Sequence, residues 1–137
     1  MKNSMTDSTE GSGAPRAINL PTRKSSAAFS DAVMAGNTLY ISGRLGLEPS
    51  TRRPPASVEQ EARNVLDDLR SVLTEAKMTM NDLVSVQIFC PDITLYDTFN
   101  KVYRGYFDDL LPSRSFIGSG QLLFGARFEL TGIAVRT

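Results

Sequence analysis

The strongest constraint on the fold of this chain is a long amphipathic segment that begins at Ser57. Ser57 is placed to accept a hydrogen bond from the amide of Gln60, whose side chain can reach back to the amide of Ser57. This pattern is a capping box, which starts a helix. Apolar residues then recur at helical spacing: Val58, Ala62, Val65, Leu66, Leu69, Val72, Leu73 and Ala76. One apolar stripe of this length predicts a helix of roughly 20 residues lying along a sheet.

The segments on either side of this helix are typical of strands. Gly36 and Asn37 separate two apolar runs and predict a hairpin turn, because both residue types tolerate positive φ. The remaining elements follow in order: a β-biased run at 83–90, a second helical pattern at 95–106, and strands at about 114–120 and 126–136. The order ββαβαββ predicts an α+β sandwich in which two helices pack on one face of a mixed sheet.

The chain is predicted to hold one folded domain, residues 17–137, behind a polar tail. Residues 1–16 carry mainly polar residues with almost nothing to bury, and we expect them to be disordered. Residues 17–20 are a candidate for a short first strand. The tail has no apolar segment of the kind that a secretory signal needs, and no apolar run approaches the roughly 20 residues of a membrane span. We therefore expect a cytoplasmic protein with no membrane contact.

Composition excludes several classes of chemistry. The chain has 15 basic and 15 acidic residues, so no net charge favours binding to nucleic acid. It has no histidine and one cysteine, Cys90, which excludes histidine-based triads, histidine-bearing zinc sites and thiolate clusters within one chain. The acidic pairs Asp67-Asp68 and Asp108-Asp109 are interpreted as residues on solvent-exposed helix faces. We therefore expect no metal and no cofactor.

The strand at 83–90 is apolar on both of its faces. Side chains alternate along a strand, so Val84, Val86 and Ile88 are expected on one face and Leu83 and Phe89 on the other. Two helices can cover only one face of the sheet. A second copy of the chain is the simplest cover for the other face, which predicts an oligomer.

Arg114 and Glu129 are the candidate functional pair. Arg114 follows a proline turn at the start of one strand, and Glu129 lies in the next strand along the chain. A guanidinium binds a carboxylate through two parallel hydrogen bonds, so Arg114 suits a small substrate that carries its own carboxylate. The same two residues are equally placed in sequence to form an ordinary cross-strand ion pair.

Several segments together resemble the reactive intermediate deaminase (Rid) or YjgF family, also described as the endoribonuclease L-PSP family. They are residues 35–43 (AGNTLYISG), the helix at 59–76, residues 96–103 (YDTFNKVY), residues 111–115 (LPSRS) and the strand of Glu129. The resemblance runs from about residue 29 to 135. It implies a chorismate-mutase-like fold that forms a homotrimer with three clefts between subunits. It also implies hydrolysis of small 2-imino acids, such as 2-iminobutanoate or 2-iminopropanoate, to 2-oxo acids and ammonia.

The resemblance also implies roles for individual residues. Arg114 matches the arginine that binds the substrate carboxylate, and Glu129 matches the acidic residue that holds the attacking water. Asn100 matches a position near the cleft; the alternative to a functional role is that its side chain makes only a local hydrogen bond. Gly43 matches the glycine whose backbone faces the cleft; the alternative to a functional role is that it marks only a bulge or a strand end.

Three residues depart from the family pattern. Phe29 stands where the family often has a tyrosine, and Phe116 stands where a cysteine is frequent. Arg44 stands where a glutamine is frequent, and if it faced the cleft it would meet a second carboxylate. Phe29, Arg44 and Phe116 are therefore expected to line the substrate site, and their departures leave the exact substrate open.

Three other functions compete with small imino acid hydrolysis. The first is deamination of a larger enamine such as 2-aminomuconate, which Arg44 would favour. The second is a binder or sensor of small carboxylates that performs no catalysis. The third is a ribonuclease, which the absence of histidine and of a basic stripe argues against.

Overall fold

The computed structural model describes residues 14–23 and 27–137. It contains two helices, α1 (Val58–Glu75) and α2 (Tyr96–Arg104), and six strands. The strands in chain order are β1 (Arg16–Ile18), β2 (Ala32–Ala35), β3 (Thr38–Leu45), β4 (Leu83–Cys90), β5 (Ser113–Gly118) and β6 (Glu129–Val135). Short 3-10 turns lie at Met80–Asp82, Ile93–Leu95 and Leu123–Gly125. The predicted order is confirmed, with the short first strand added in front of it.

Residues 1–13 of the predicted tail lie outside the described residues. The first strand begins one residue earlier than the predicted domain boundary, because Arg16 already pairs with Met34 of β2. It also ends at Ile18 rather than at residue 20.

The six strands form one mixed sheet in the order β1-β2-β3-β6-β4-β5. All neighbouring strands are antiparallel except β4 and β5, which are parallel. Both helices pack on the same face of this sheet, where their apolar residues join those of the strands in one core. The chain therefore has the predicted α+β architecture. This topology also places β4 between β5 and β6, so the strands of Arg114 and Glu129 are not neighbours.

Helix α1 begins with half of the predicted capping box. The Ser57 hydroxyl accepts a hydrogen bond from the Gln60 amide at 3.1 Å, as expected. The reciprocal bond is replaced, because the Gln60 side chain donates to Asn64 at 2.9 Å instead. Within the helix, the stripe from Val65 to Leu73 is buried against the sheet.

Glu61, in the first turn of α1, is fully buried and fixes the entry to β6. Its carboxylate accepts from the Arg127 amide at 2.7 Å and from the Arg127 Nε at 2.6 Å. A buried carboxylate needs such partners, since an unpaired one is costly to desolvate. Because Arg127 lies two residues before Glu129, this contact also sets where Glu129 enters the sheet.

A β-bulge changes the faces predicted for β4. Leu83 pairs with Ala134 and Ser85 pairs with Ile133, so two residues of β4 span one step of β6. The extra residue, Val84, is exposed, and Leu83 lies on the buried face together with Val86 and Ile88. The prediction that Val84 shares a face with Val86 and Ile88 is therefore wrong, because a bulge shifts the alternation by one residue.

The sheet face away from the helices stays partly apolar. Tyr40 is half exposed, and it pairs with Val33 on one side and with Ile133 on the other. Phe89 lies on this same face, opposite Glu129 of β6. These side chains form an outward surface that the described residues of one chain do not cover.

Candidate active site

Arg114 lies in a small pocket between β5 and α2, which we call the Arg114 pocket. Its volume is about 170 Å³. The pocket is lined by Tyr96, Asn100, Tyr103, Arg104, Leu111, Pro112 and Arg114. Pro112 ends the preceding loop, and β5 then runs parallel to β4 with Arg114 opposite the buried Val86. This register turns Arg114 toward the helices.

Aromatic rings surround the Arg114 guanidinium. Its central carbon lies 4.8 Å from the ring centroid of Tyr103, 5.6 Å from that of Tyr96 and 5.8 Å from that of Phe116. Rings at these distances attract a cation through their quadrupoles. Among residues 14–23 and 27–137, no carboxylate lies within ion-pair distance of Arg114. The guanidinium is thus held in place while its hydrogen-bonding edge stays available.

Two buried polar atoms of the Arg114 pocket have no partner. Asn100 is 7% exposed and Tyr103 is 4% exposed, and neither the Asn100 Oδ1 nor the Tyr103 hydroxyl makes a hydrogen bond. Burial raises the pKa of Tyr103 to about 12, although the positive charge of Arg114 opposes the shift. The phenol is therefore protonated at neutral pH and free to donate. Unpaired buried groups of this kind are expected where a ligand supplies the missing partner.

Glu129 lies in a different and larger cleft, which we call the Glu129 cleft. Its volume is about 880 Å³. The cleft is lined by Ala27, Phe29, Ser42, Gly43, Leu45, Arg52, Leu123, Phe124 and Glu129. Within the described part of the chain, no cation lies within ion-pair distance of the Glu129 carboxylate. The cleft combines one free carboxylate with mainly apolar walls.

Gly43 allows the Glu129 side chain to lie against the backbone of β3. A Cβ at position 43 would overlap the Glu129 carboxylate, so no larger residue fits without moving Glu129. The strand is irregular at this point, because Ile41 pairs with Gly132 whereas Arg44 pairs with Leu130. The bulge at Ser42 and Gly43 thus brings the β3 backbone to the carboxylate.

The two regions lie on opposite faces of the sheet. Arg114 faces the helices, whereas Glu129 precedes the buried Leu130 and faces the other way. The cross-strand ion pair considered for Arg114 and Glu129 is therefore wrong for a single chain. Adjacency in sequence order was misleading here, since β4 is inserted between β5 and β6.

Arg44 does not line either region, so the prediction that it lines the substrate site is wrong, and the condition for its contact with a second substrate carboxylate is not met. It is buried on the helix side, where its Nε binds Asp68 at 2.5 Å and its NH1 binds Asp31 at 2.8 Å. The physical cause is the β3 bulge, which moves Arg44 onto the same face as Ile41. Both carboxylates that Arg44 needs are supplied by the chain.

Asp31 belongs to the same buried cluster. Burial on its own would raise the pKa of this carboxyl. The hydrogen bonds from Arg44 and from the Leu20 amide, together with the charges of Arg44 and Arg23, outweigh burial and lower the pKa. Asp31 is therefore an ionised structural anchor that links Leu20 and Arg23 to Arg44 of β3.

Three of the remaining predicted residues line the two regions, and Phe116 lines neither. Phe29 lines the Glu129 cleft with Gly43, and Asn100 lines the Arg114 pocket. Phe116 packs on the helix side, with its ring centroid 5.0 Å from that of Tyr96. It therefore helps to hold the Arg114 guanidinium, which lies 5.8 Å from the Phe116 ring centroid. The sequence analysis did not single out Tyr103 as a polar group of the site.

Arg52 and Phe124 of the Glu129 cleft were also missed in the sequence. Tyr103 lies three residues after Asn100 on a helix, a spacing that could have placed the two together. Arg52 and Phe124 occur in irregular segments, where no local pattern indicates what they contact.

Neither a metal site nor a membrane helix occurs in the described residues. Across 14–23 and 27–137, no group of three metal-ligating side chains lies close enough to hold an ion. In the same residues, no helix is long and apolar enough to cross a membrane.

The sequence profile of the family described as Endoribonuclease L-PSP matches residues 20–136. The chain belongs to this family, which includes the YjgF and Rid proteins. The predicted family resemblance is therefore confirmed. Among curated relatives, the 2-iminobutanoate/2-iminopropanoate deaminase of Rattus norvegicus is 34% identical over 110 residues, which is 80% of each chain. The protein of the same name from Mus musculus is 35% identical over 109 residues, 79% of this chain and 81% of the relative.

Solved structures of L-PSP family members have the same fold. The YjgF gene product of E. coli is 26% identical, with a TM-score of 0.81 over 89% of this chain and 99% of its own. E. coli TdcF, solved with bound serine, is also 26% identical, with a TM-score of 0.77 over 89% of this chain and 94% of its own. These matches confirm the predicted chorismate-mutase-like α+β fold.

Proposed function

We propose that this L-PSP family protein hydrolyses small 2-imino acids to 2-oxo acids and ammonia, as the names of its mammalian relatives suggest. The observation that carries the proposal is the state of Arg114. This guanidinium is fixed by three rings, bound by no carboxylate of the described chain and bordered by two unpartnered buried polar atoms. A substrate carboxylate would accept hydrogen bonds from the Arg114 guanidinium and the Tyr103 hydroxyl, whereas the Asn100 Oδ1 would accept from a donor such as a bound water or the substrate imine N–H.

Glu129 is the residue that activates the attacking water and transfers protons. An imine carbon is already electrophilic, so hydrolysis needs mainly a positioned water and a route for protons. Glu129 accepts a proton from the water as the water oxygen adds to the carbon of the protonated imine, and it then passes that proton to the amino nitrogen of the carbinolamine. The carbinolamine collapses as its hydroxyl gives a proton to Glu129 and the C–N bond breaks, which releases ammonia and leaves the 2-oxo acid; ammonia then takes up the proton held by Glu129.

We further propose that a complete site forms between two subunits of a homotrimer. Arg114 and Glu129 face opposite sides of the sheet, so one chain cannot bring them to one small substrate. A neighbouring copy seated on the outward sheet face would cover Tyr40 and Ile133 and bring its own Arg114 to the Glu129 cleft.

The activity is tested with imines generated in situ by an amino-acid oxidase. Semicarbazide traps 2-iminobutanoate or 2-iminopropanoate, and an active deaminase lowers the yield of semicarbazone. We expect wild-type protein to compete with trapping and Arg114→Met and Glu129→Gln each to lose about 100-fold or more in kcat/KM. Arg70→Met removes a surface guanidinium paired with Asp67 and serves as the control. Saturable binding of 2-oxo acids without turnover would instead favour the non-catalytic binder.

The shared site is tested by mixing the two inactive variants. Co-expressed Arg114→Met and Glu129→Gln chains would place a native Arg114 opposite a native Glu129 in about a quarter of clefts, if each cleft draws one residue from each neighbour. We expect activity to return to about that fraction of wild type. Mixed preparations that stay as inactive as either parent would contradict a site shared between subunits.

A further inference from the structure

Arg52 is the one arginine that lines the Glu129 cleft within the described residues. It lies in the loop between β3 and α1, which is closed by two backbone hydrogen bonds of 2.8 Å. In one the Arg52 amide donates to the Glu48 carbonyl, and in the other the Glu48 amide donates to the Arg53 carbonyl. The loop therefore holds Arg52 at a defined place on the cleft wall.

The Arg52 side chain rests on Phe124, which comes from the turn before β6. Its guanidinium carbon lies 5.4 Å from the centroid of the Phe124 ring. Both residues have a φ of 59°, a left-handed conformation that is uncommon for residues other than glycine. Such backbone strain is typically retained where a side chain must be presented in one direction. Two strained residues thus meet across the cleft that contains Glu129.

The Arg52 guanidinium is free to bind an anion. Within residues 14–23 and 27–137, no carboxylate lies within ion-pair distance of it. Arg44, by contrast, is occupied by two carboxylates. Arg52 therefore has the property that the sequence had led us to expect of Arg44, namely a positive charge available at the cleft.

The space beside Arg52 suits a carbon chain longer than that of the smallest imino acids. The cleft has a volume of about 880 Å³, with Phe29, Leu45 and Leu123 among its apolar walls. The walls favour methylene or vinyl carbons. A carbon chain that passes along them from Glu129 toward Arg52 would end beside a guanidinium.

We propose that Arg52 binds a second carboxylate at the far end of the substrate, so that the protein prefers imino or enamine dicarboxylates. This inference rests on the proposed function, in which Arg114 of a neighbouring subunit binds the first carboxylate. The two guanidiniums would then hold the two ends of one extended molecule, with the reacting carbon near Glu129. Arg52 is a specificity residue in this scheme, because it touches the substrate away from the reacting atoms.

The test compares two imines of equal length, 2-iminohexanedioate and 2-iminohexanoate, each generated in situ from its amino acid. We expect wild-type protein to have the higher kcat/KM for the dicarboxylate. Arg52→Gly removes the side chain at a φ that glycine adopts freely, so the loop is retained. The ratio of the two kcat/KM values should fall about tenfold in Arg52→Gly, the effect of one charge-assisted contact. Arg53→Ala, at the neighbouring exposed arginine, should leave the ratio unchanged.

A binding measurement separates this inference from the proposed function. Calorimetry with 2-oxohexanedioate and 2-oxohexanoate needs no turnover. If wild type hydrolyses imines but Arg52→Gly changes neither the ratio nor the binding of the dicarboxylate, the role of Arg52 is overturned and the proposed function stands. If no imine is hydrolysed while dicarboxylate binding depends on Arg52, the proposed function is overturned and the Arg52 site stands. If wild type neither hydrolyses nor binds the dicarboxylate, both are overturned.

Discussion

Arg44 and Arg114 both lie on the helix-facing side of the sheet, but their surroundings differ completely. Arg44 is bound by Asp31 and Asp68, both contributed by the chain. Arg114 is surrounded by aromatic rings and has no carboxylate partner in the described residues. A charge that is already neutralised stabilises the fold, whereas a fixed charge without a counterion is available for a ligand.

The largest loss of stability should come from Arg44→Met, because it leaves the buried Asp31 with only Arg23 as a cation partner. Removing one partner of a buried ion pair costs about 3 kcal/mol of unfolding free energy. Urea unfolding followed by circular dichroism measures this change, and Arg70→Met at the exposed pair should cost less than about 0.5 kcal/mol. Equal losses in the two variants would contradict a structural role for Arg44.

Arg114→Met should show the opposite pattern. The free energy of unfolding should change by less than about 1 kcal/mol, because no carboxylate is left unpaired in the described chain. Imine hydrolysis should fall about 100-fold or more in kcat/KM, since the substrate carboxylate loses its cation. Unfolding curves and the semicarbazide assay on one preparation measure both quantities. A large loss of stability would mean that Arg114 is structural, as Arg44 is.

Tyr103→Phe should have opposite effects on the stability of the fold and on substrate binding in the Arg114 pocket. The Tyr103 hydroxyl is buried without a partner, so its removal should raise the unfolding free energy by up to about 1 kcal/mol. KM should rise about fivefold if the hydroxyl donates to the substrate carboxylate, with kcat little changed. Because the pKa of Tyr103 is raised to about 12, this difference should not vary between pH 6 and 9. A stability loss with unchanged KM would indicate a partner within the protein.

Replacing Asp31 by asparagine removes its ion pairs with Arg23 and Arg44, and beyond that loss of stability we expect the smallest of these effects, a change in acid sensitivity. The pKa of Asp31 is lowered in the folded state, so its ionisation stabilises the protein fully above the ordinary aspartate pKa of about 3.9. That contribution is lost as the pH falls through the lower pKa of the folded state. Unfolding free energies measured from pH 5 to pH 2 should therefore decline less steeply in Asp31→Asn than in wild type. Parallel curves would contradict the lowered pKa.

Three predictions that rest on local pattern were confirmed. The Ser57 cap, the apolar stripe of α1 and the turn at Gly36 each depend on residues a few positions apart, so neighbouring sequence is sufficient to indicate them. Gly43 and Glu129 were named together as site residues, and the structure brings them into contact. That proximity depends on strands distant in sequence, and it was reached through the family resemblance rather than through spacing.

Local pattern could not predict which side chains lie on which face of a strand. A bulge adds one residue to a strand and moves every later side chain to the other face. The bulge at Ser42 and Gly43 moved Arg44 into the core, and the one at Val84 exchanged Val84 for Leu83. Both depend on pairing with β6, which is remote in the chain.

Sequence order and motifs therefore indicated the elements and the family, and composition excluded histidine-based chemistry within one chain. Long-range packing settled which charges are free. It inserted β4 between the strands of Arg114 and Glu129, supplied two carboxylates to Arg44 and brought Arg52 into the Glu129 cleft. These outcomes depend on three-dimensional neighbours, because the binding capacity of a charge is set by the groups that surround it and not by its position along the chain.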